Sequence, residues 1–217
     1  MKHRFYIVSA LFLAVALLYG CDEAETEGVS KITYYAEITL TGEQWNSIPQ
    51  GGTWAEPGVK ATEEGEEIEV QTGGDVVNPN VPGVYTIEYT AINRDGFPAT
   101  EYRYVGVISP DVVDDDLTGV YQRQGGVFGF ATIAKVPGKM NLYTSNNVGG
   151  VAPDDVGPGT MVRFYHYAPG LLGFPYQLVQ GSPFYGVDAT VEEDGSAFTW
   201  TVINGGYGNA PRLFTKQ

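Results

Sequence analysis

Between Gly83 and Ser109 the chain reads GVYTIEYTAINRDGFPATEYRYVGVIS, and its alternation narrows the choice of fold. Tyr85, Ile87, Tyr89 and Ala91 alternate with Thr86, Glu88 and Thr90. A period of two places each set on one face of an extended strand. Asn93-Arg94-Asp95-Gly96 supplies the turn, because glycine takes positive φ without steric cost. A second run follows, with Glu101 and Arg103 interleaved with Tyr102 and Tyr104. Two alternating runs around Asp-Gly predict a β-hairpin.

The same pattern recurs along the chain. In KITYYAEITL, Ile32, Tyr34, Ala36, Ile38 and Leu40 fall on one face, and EEIEV repeats the motif with Ile68 and Val70. Beyond Leu117 come GVYQR, FATIAKV, KMNLYTS, MVRFYHY, YQLVQG, VDATVEE and FTWTVING, separated by Gly-Gly, Pro-Gly, Asn-Asn and Asp-Gly turns, with RLFTKQ as a closing strand. The 29 glycines and 13 prolines fit many tight turns rather than long helices. The expectation is an all-β protein whose second region, residues 117–217, is an antiparallel β-sandwich or a small barrel. The run DVVDDD at 111–116 reads as a solvated acidic linker. Its carboxylates would also suit a hard cation, but they lack the Asp-x-Asp-x-Asp-Gly spacing of a calcium loop.

The N-terminus carries an address. Lys2, His3 and Arg4 precede a nearly unbroken apolar run from Phe5 to Leu18, the length of a signal-peptide core and too short for a stable span. Leu18, Gly20 and Cys21 then resemble the lipobox of bacterial lipoproteins, in which a peptidase cuts before a lipid-modified cysteine. This implies a signal peptide at 1–20 and lipid attachment at Cys21, the sole cysteine, which leaves no thiol for disulfides or catalysis. Asp22, Glu23, Glu25 and Glu27 make residues 21–30 an acidic tether. They also resemble the acidic export signal of surface-exposed lipoproteins of the Bacteroidetes.

Trp54-Ala-Glu-Pro-Gly-Val-Lys-Ala, then Pro82-Gly83-Val-Tyr85-Thr-Ile-Glu-Tyr89, then Asn93 and Gly96 resemble the bacterial immunoglobulin-like repeat of surface proteins. The resemblance implies an N-terminal immunoglobulin-like β-sandwich over residues 31–110, a spacer or adhesive module without catalysis. The layout of lipobox, immunoglobulin-like domain and a Gly- and aromatic-rich β domain opening at Leu117, Gly119 and Tyr121 is similar to a group of lipoproteins from gut Bacteroidetes. Members of that group often accompany outer-membrane machinery that captures and imports glycans. That implies an outer-membrane, surface-exposed location, with the membrane (through the N-terminal lipid), polysaccharides and uptake proteins as partners.

Charge and composition remove other functions. With 26 Asp plus Glu against 12 Lys plus Arg, the net charge of −14 repels phosphate backbones, so nucleic acid is not an expected partner. One histidine, His166, follows the leader, so neither a histidine-rich zinc site nor a Cys-His dyad can form. His166 shares a strand face with Val162 and Phe164 and reads as a satisfied, half-buried residue rather than the base of a triad. The acidic runs Glu192-Glu193-Asp194 and Asp154-Asp155 sit beside turns and read as solvated faces rather than a glycosidase pair. No catalytic residue, cofactor or metal ligand is expected.

Aromatics are the remaining lead. Phe164, Tyr165, Tyr167, Phe174, Tyr176, Phe184 and Tyr185 crowd the stretch from 161 to 185. With Val162, Phe164 and His166 inward, parity places Arg163, Tyr165 and Tyr167 together on the opposite face, a candidate platform for stacking sugar rings. Phe198, Trp200 and Val202 read as buried core. The sequence therefore points to a non-catalytic, lipid-anchored surface protein that binds glycans for an uptake system. The alternative is a structural or protein-binding surface lipoprotein with no glycan ligand.

Overall fold

The computed structural model describes residues 31–151 and 161–217. The signal peptide, Cys21, the tether at 21–30 and Asp154-Asp155 lie outside the described residues. Residues 35–217 form one unit, and the described residues make sixteen strands and no α-helix.

The N-terminal half is a two-sheet sandwich. Strands β1 (Glu37–Leu40), β3 (Val59–Glu63) and β4 (Glu66–Ile68) form one sheet in the order β1-β3-β4. Strands β2 (Trp45–Pro49), β5 (Val70–Gly74), β6 (Gly83–Ile92) and β7 (Pro98–Ile108) form the other, ordered β2-β7-β6-β5. The predicted hairpin is β6–β7, in register from Gly83↔Val107 to Ile92↔Pro98. Its turn forms as the sequence predicts: the Asn93 side chain accepts from the Phe97 amide at 2.7 Å, and Gly96 takes φ 85°. The alternation at 31–40 yields a strand only from Glu37, and Ile32 is largely exposed. Ile38, Leu40 and Val59 of one sheet meet Ile87, Tyr89 and Val105 of the other in the core.

Arg103 is also fully buried there. Its Nη2 donates to the carbonyls of Thr41 and Gly58 at 2.9 and 3.0 Å, and its Nε donates to the Tyr89 hydroxyl and pairs with Glu56 at 2.9 Å. A buried cation is tolerated where every donor direction finds an acceptor.

The C-terminal half is a closed ring. Strands β8 (Gly119–Gln124), β9 (Phe130–Lys135), β10 (Leu142–Ser145), β11 (Val162–Ala168), β12 (Leu171–Gly173), β13 (Gln177–Val179), β14 (Ser182–Val191), β15 (Ala197–Ile203) and β16 (Arg212–Lys216) form one sheet, ordered β12-β11-β10-β9-β8-β16-β15-β14-β13. Leu171 of β12 pairs with Thr190 of β14 and closes eight strands into a barrel, with β13 appended outside the ring. Of the two architectures left open by the sequence, the pairing gives the barrel. Closure leaves the ring itself without open edges.

The barrel is filled rather than hollow. Trp200 lies 4.6 Å from Phe198 and 5.3 Å from Phe164, and Phe198 stacks on Phe214 at 4.8 Å. The polar tips are satisfied: Trp200 Nε1 donates to the Val148 carbonyl at 2.9 Å, and the Tyr121 hydroxyl donates to the Gly195 carbonyl at 2.8 Å.

The acidic stretch 111–116 departs from the solvated linker expected of it. Pro110–Val112 forms a single 3-10 turn capped by Ser109, and Val112 is buried with Leu142 and Tyr165. The Ser109 amide donates to the Tyr167 carbonyl of the barrel at 2.8 Å. The acids mark the wet side of a packed connector whose apolar residues hold it down.

Candidate functional site

Strand parity in β11 follows the prediction, but its consequence does not. Val162, Phe164 and His166 face inward, and Arg163, Tyr165 and Tyr167 share the other side. That side is not an open sheet face, because the sandwich covers its centre. Tyr165 is fully buried among Trp45, Tyr104, Ile108, Val112 and Leu142, and its hydroxyl donates to the Asn46 carbonyl at 2.8 Å. Burial pushes its pKa far up, so the phenol stays a donor at any ordinary pH. Tyr165 is therefore a joint between sandwich and barrel and is removed from the predicted platform.

The other two predicted residues separate. Tyr167 is half-buried in a shallow depression shared with Val84, Thr86 and Phe174. Arg163 remains exposed and enters a cleft of about 410 Å³ between the two halves. Trp45 of β2, Tyr102 and Tyr104 of β7, and Gln177 and Leu178 of β13 also line that cleft.

Each element delivers its side chain for a local reason. The parallel pairing of β2 with β7 sets Trp45 opposite Tyr104, and their rings stack at 4.1 Å. Arg103, Val105 and Ile87 face the sandwich core, so alternation turns Tyr102 and Tyr104 toward the barrel. Gln177 Oε1 accepts from the Arg163 amide at 2.8 Å and its Nε2 donates to the Arg163 carbonyl at 2.7 Å, a side-chain imitation of strand pairing. The Arg163 guanidinium stands 5.6 Å over the Trp45 ring.

A row of tyrosines leads out of the cleft. Tyr102 lies 5.4 Å from Tyr176, which lies 6.4 Å from Tyr185. Tyr176 and Tyr185 are each over a third exposed, and Tyr102 is partly so. Burial and then Glu88 raise the pKa of Tyr102, which keeps its hydroxyl protonated. Polar groups fringe the row: Gln44 donates to Glu101 at 2.7 Å, and Gln180 closes the far wall. Sequence reasoning listed Tyr176 and Tyr185 as aromatics and saw the alternation of Tyr102 and Tyr104. It missed Trp45 altogether and had no means of bringing them together, since Tyr102 and Tyr176 meet only across the two halves.

His166 departs from expectation in one respect. It is 3% exposed rather than half-buried, and neither ring nitrogen has a hydrogen-bond partner among the described residues. Its nearest charged neighbour is Asp115, whose Oδ2 lies 3.7 Å from Nδ1. Desolvation lowers its pKa, with Asp115 opposing. Among the described residues, no group of three or more His, Cys, Asp or Glu is placed to hold a metal ion.

Fold and site together define an all-β protein in which an immunoglobulin-like sandwich and a filled barrel share an aromatic cleft. Residues 38–107 match the model of the bacterial surface protein Ig-like domain, over the stretch that holds the Trp54 and Pro82-Gly83 motifs. Among solved structures it is similar to a lipoprotein from Bacteroides thetaiotaomicron at 20% identity, covering 84% of this chain and 100% of that one, with a TM-score of 0.37. No curated protein matches the chain.

Proposed function

We propose that this protein is a non-catalytic, lipid-anchored cell-surface protein that binds saccharide in the cleft between sandwich and barrel and serves an outer-membrane glycan-uptake system. One observation carries the reading: the rings of Tyr102, Tyr176 and Tyr185 follow one another at 5.4 and 6.4 Å, leading outward from the cleft wall at Tyr102. Sugar rings present C–H faces that stack on flat aromatics, and the Arg163 and Gln180 side chains offer donors for hydroxyl groups. The surface domain at 38–107 and the Leu18-x-Gly20-Cys21 motif support the location.

A glycan array followed by calorimetry on the intact protein tests it. Tyr102→Ala and Tyr176→Ala are each expected to weaken binding about tenfold, equivalent to about 1.4 kcal/mol. Unchanged retention in both variants overturns the reading. The competing function, docking of a partner protein, is favoured by exposed Met161 and Leu178 on the same rim. Silence across the array, with Leu178→Asp abolishing a protein contact, selects it.

A further inference from the structure

The barrel holds a second feature, distant in kind from the tyrosine row. Arg123 lies in β8 and Arg212 in β16. Phe214 stands opposite Arg123 in the β8–β16 ladder, and Trp200 stands opposite Arg212 in the β15–β16 ladder. Directly opposed residues share a face of the sheet. Phe214 and Trp200 are fully buried in the barrel core, so both arginine stems leave from its inner face.

Among the described residues neither guanidinium has a carboxylate partner. Arg212 is 5% exposed, and its Nε has no hydrogen-bond partner among the described residues. Its remaining nitrogens reach only the carbonyls of Ala210 at 3.3 Å and Gly208 at 3.4 Å, while Cζ stands 5.1 Å over the Tyr207 ring. Among the described residues the Arg123 guanidinium makes one hydrogen bond, to the Gly149 carbonyl at 3.2 Å. A guanidinium carries five N–H donors, so most of them are unused on both. No carboxylate among the described residues pairs with either, although Arg94, Arg103 and Lys139 each have one. What sets these two apart from exposed cations such as Arg163 is burial: Arg212 is buried and Arg123 is partly buried, and both stems leave from the inner face of the same barrel. Burial, and after it Arg123 itself, lowers the pKa of Arg212, as expected for like charges held close without a counter-ion.

Leaving two neighbouring cations partly desolvated is costly unless an anion offsets them. We propose that Arg123 and Arg212 form an oxyanion-binding site at one end of the barrel, with Tyr207 as its aromatic wall. Guanidinium forks match carboxylate, sulfate and phosphate oxygens bidentately, and this set takes a single such group. Two sources share that chemistry: the carboxylate of an acidic sugar and a free inorganic anion. The site does not depend on the tyrosine cleft.

Calorimetry on the intact protein tests it with three probes: inorganic phosphate, a galacturonate oligomer and a neutral oligomer of the same length. Binding of either anionic probe is expected, weakening as salt rises, with at least tenfold loss in Arg123→Gln and in Arg212→Lys, which keeps the charge but not the fork. Galacturonate without phosphate identifies an acidic-sugar site, and phosphate alone identifies a free-anion site. The half-exposed Arg123 gives a variant that need not disturb the core, and its fold is checked by near-ultraviolet circular dichroism. Tyr176→Ala is expected to leave anion binding unchanged, which separates failure here from failure of the cleft. The proposal is overturned if neither anion binds at millimolar concentration, or if binding persists undiminished in Arg123→Gln.

Discussion

The ring of Tyr165 lies directly on Gly106: a Cβ built at residue 106 would stand 2.5 Å from Tyr165 Cδ1. One bare backbone position in β7 thus lets the barrel close on the sandwich. Gly106→Ala is expected to cost about 1–3 kcal/mol by overpacking. Tyr165→Ala is expected to cost about 3–5 kcal/mol as a cavity. Tyr165→Phe, which loses only the bond to the Asn46 carbonyl, is expected to cost about 1 kcal/mol. Urea denaturation of the three variants checks the order.

Arg103 offers a contrast between a buried and a half-exposed end of one ion pair. Arg103→Met leaves the Thr41 carbonyl without this donor, while Gly58 keeps the Thr41 amide, and is expected to destabilise by about 1–3 kcal/mol. Glu56→Gln removes a partner whose side chain is a third exposed, so solvent screening holds its cost below about 1 kcal/mol. Equal losses in thermal melts would contradict this account.

His166 makes stability depend on pH with a defined sign. Its folded pKa is lowered by desolvation below its ordinary value of 6.5. Between the two values the unfolded chain binds the proton more readily, so stability falls as pH drops through the region below about 6.5. Asp115, Asp111 and Glu193 line the same depression, and Asp115 tempers the effect. The urea midpoint of the wild type is expected to fall between pH 7.5 and pH 5.5 by more than that of His166→Gln, which carries no titrating ring.

The proposed anchor makes its own prediction. Cys21→Ser is expected to move the protein from the membrane fraction to the soluble one. Replacing Asp22, Glu23, Glu25 and Glu27 with Ala is expected to keep it membrane-bound but protect it from protease added to whole cells. Fractionation and surface proteolysis read the two outcomes separately.

Period-two alternation was enough to read β6, β7, β8, β9 and β15, and the parity of β11 and the burial of Trp200 followed from it. Alternation reports which residues share a face, but not what covers that face, so Tyr165 was read as exposed. The strand WNSIP carries no clear period, and its pairing with β7 is parallel, a relationship set by tertiary packing. In the run 111–116 the three consecutive aspartates dominate the charge, while Val112, one methylene-poor side chain, decides the packing. The cleft was illegible because its walls come from residues far apart: Gln44 and Glu101 are bonded across 57 positions, and the Tyr104 hydroxyl donates to the Tyr176 carbonyl across 72.

The seam between β8 and β16 also sets an order of events. Leu213 pairs with Gln124 and Lys216 with Tyr121, so the ring cannot shut until the segment at 212–216 has arrived. Until then β8 and β15 expose unpaired edges, and loop-closure entropy must be overcome before the ladder returns any gain. Such a barrel is expected to form late and slowly, because its closing ladder joins strands from the two ends of the region 119–216.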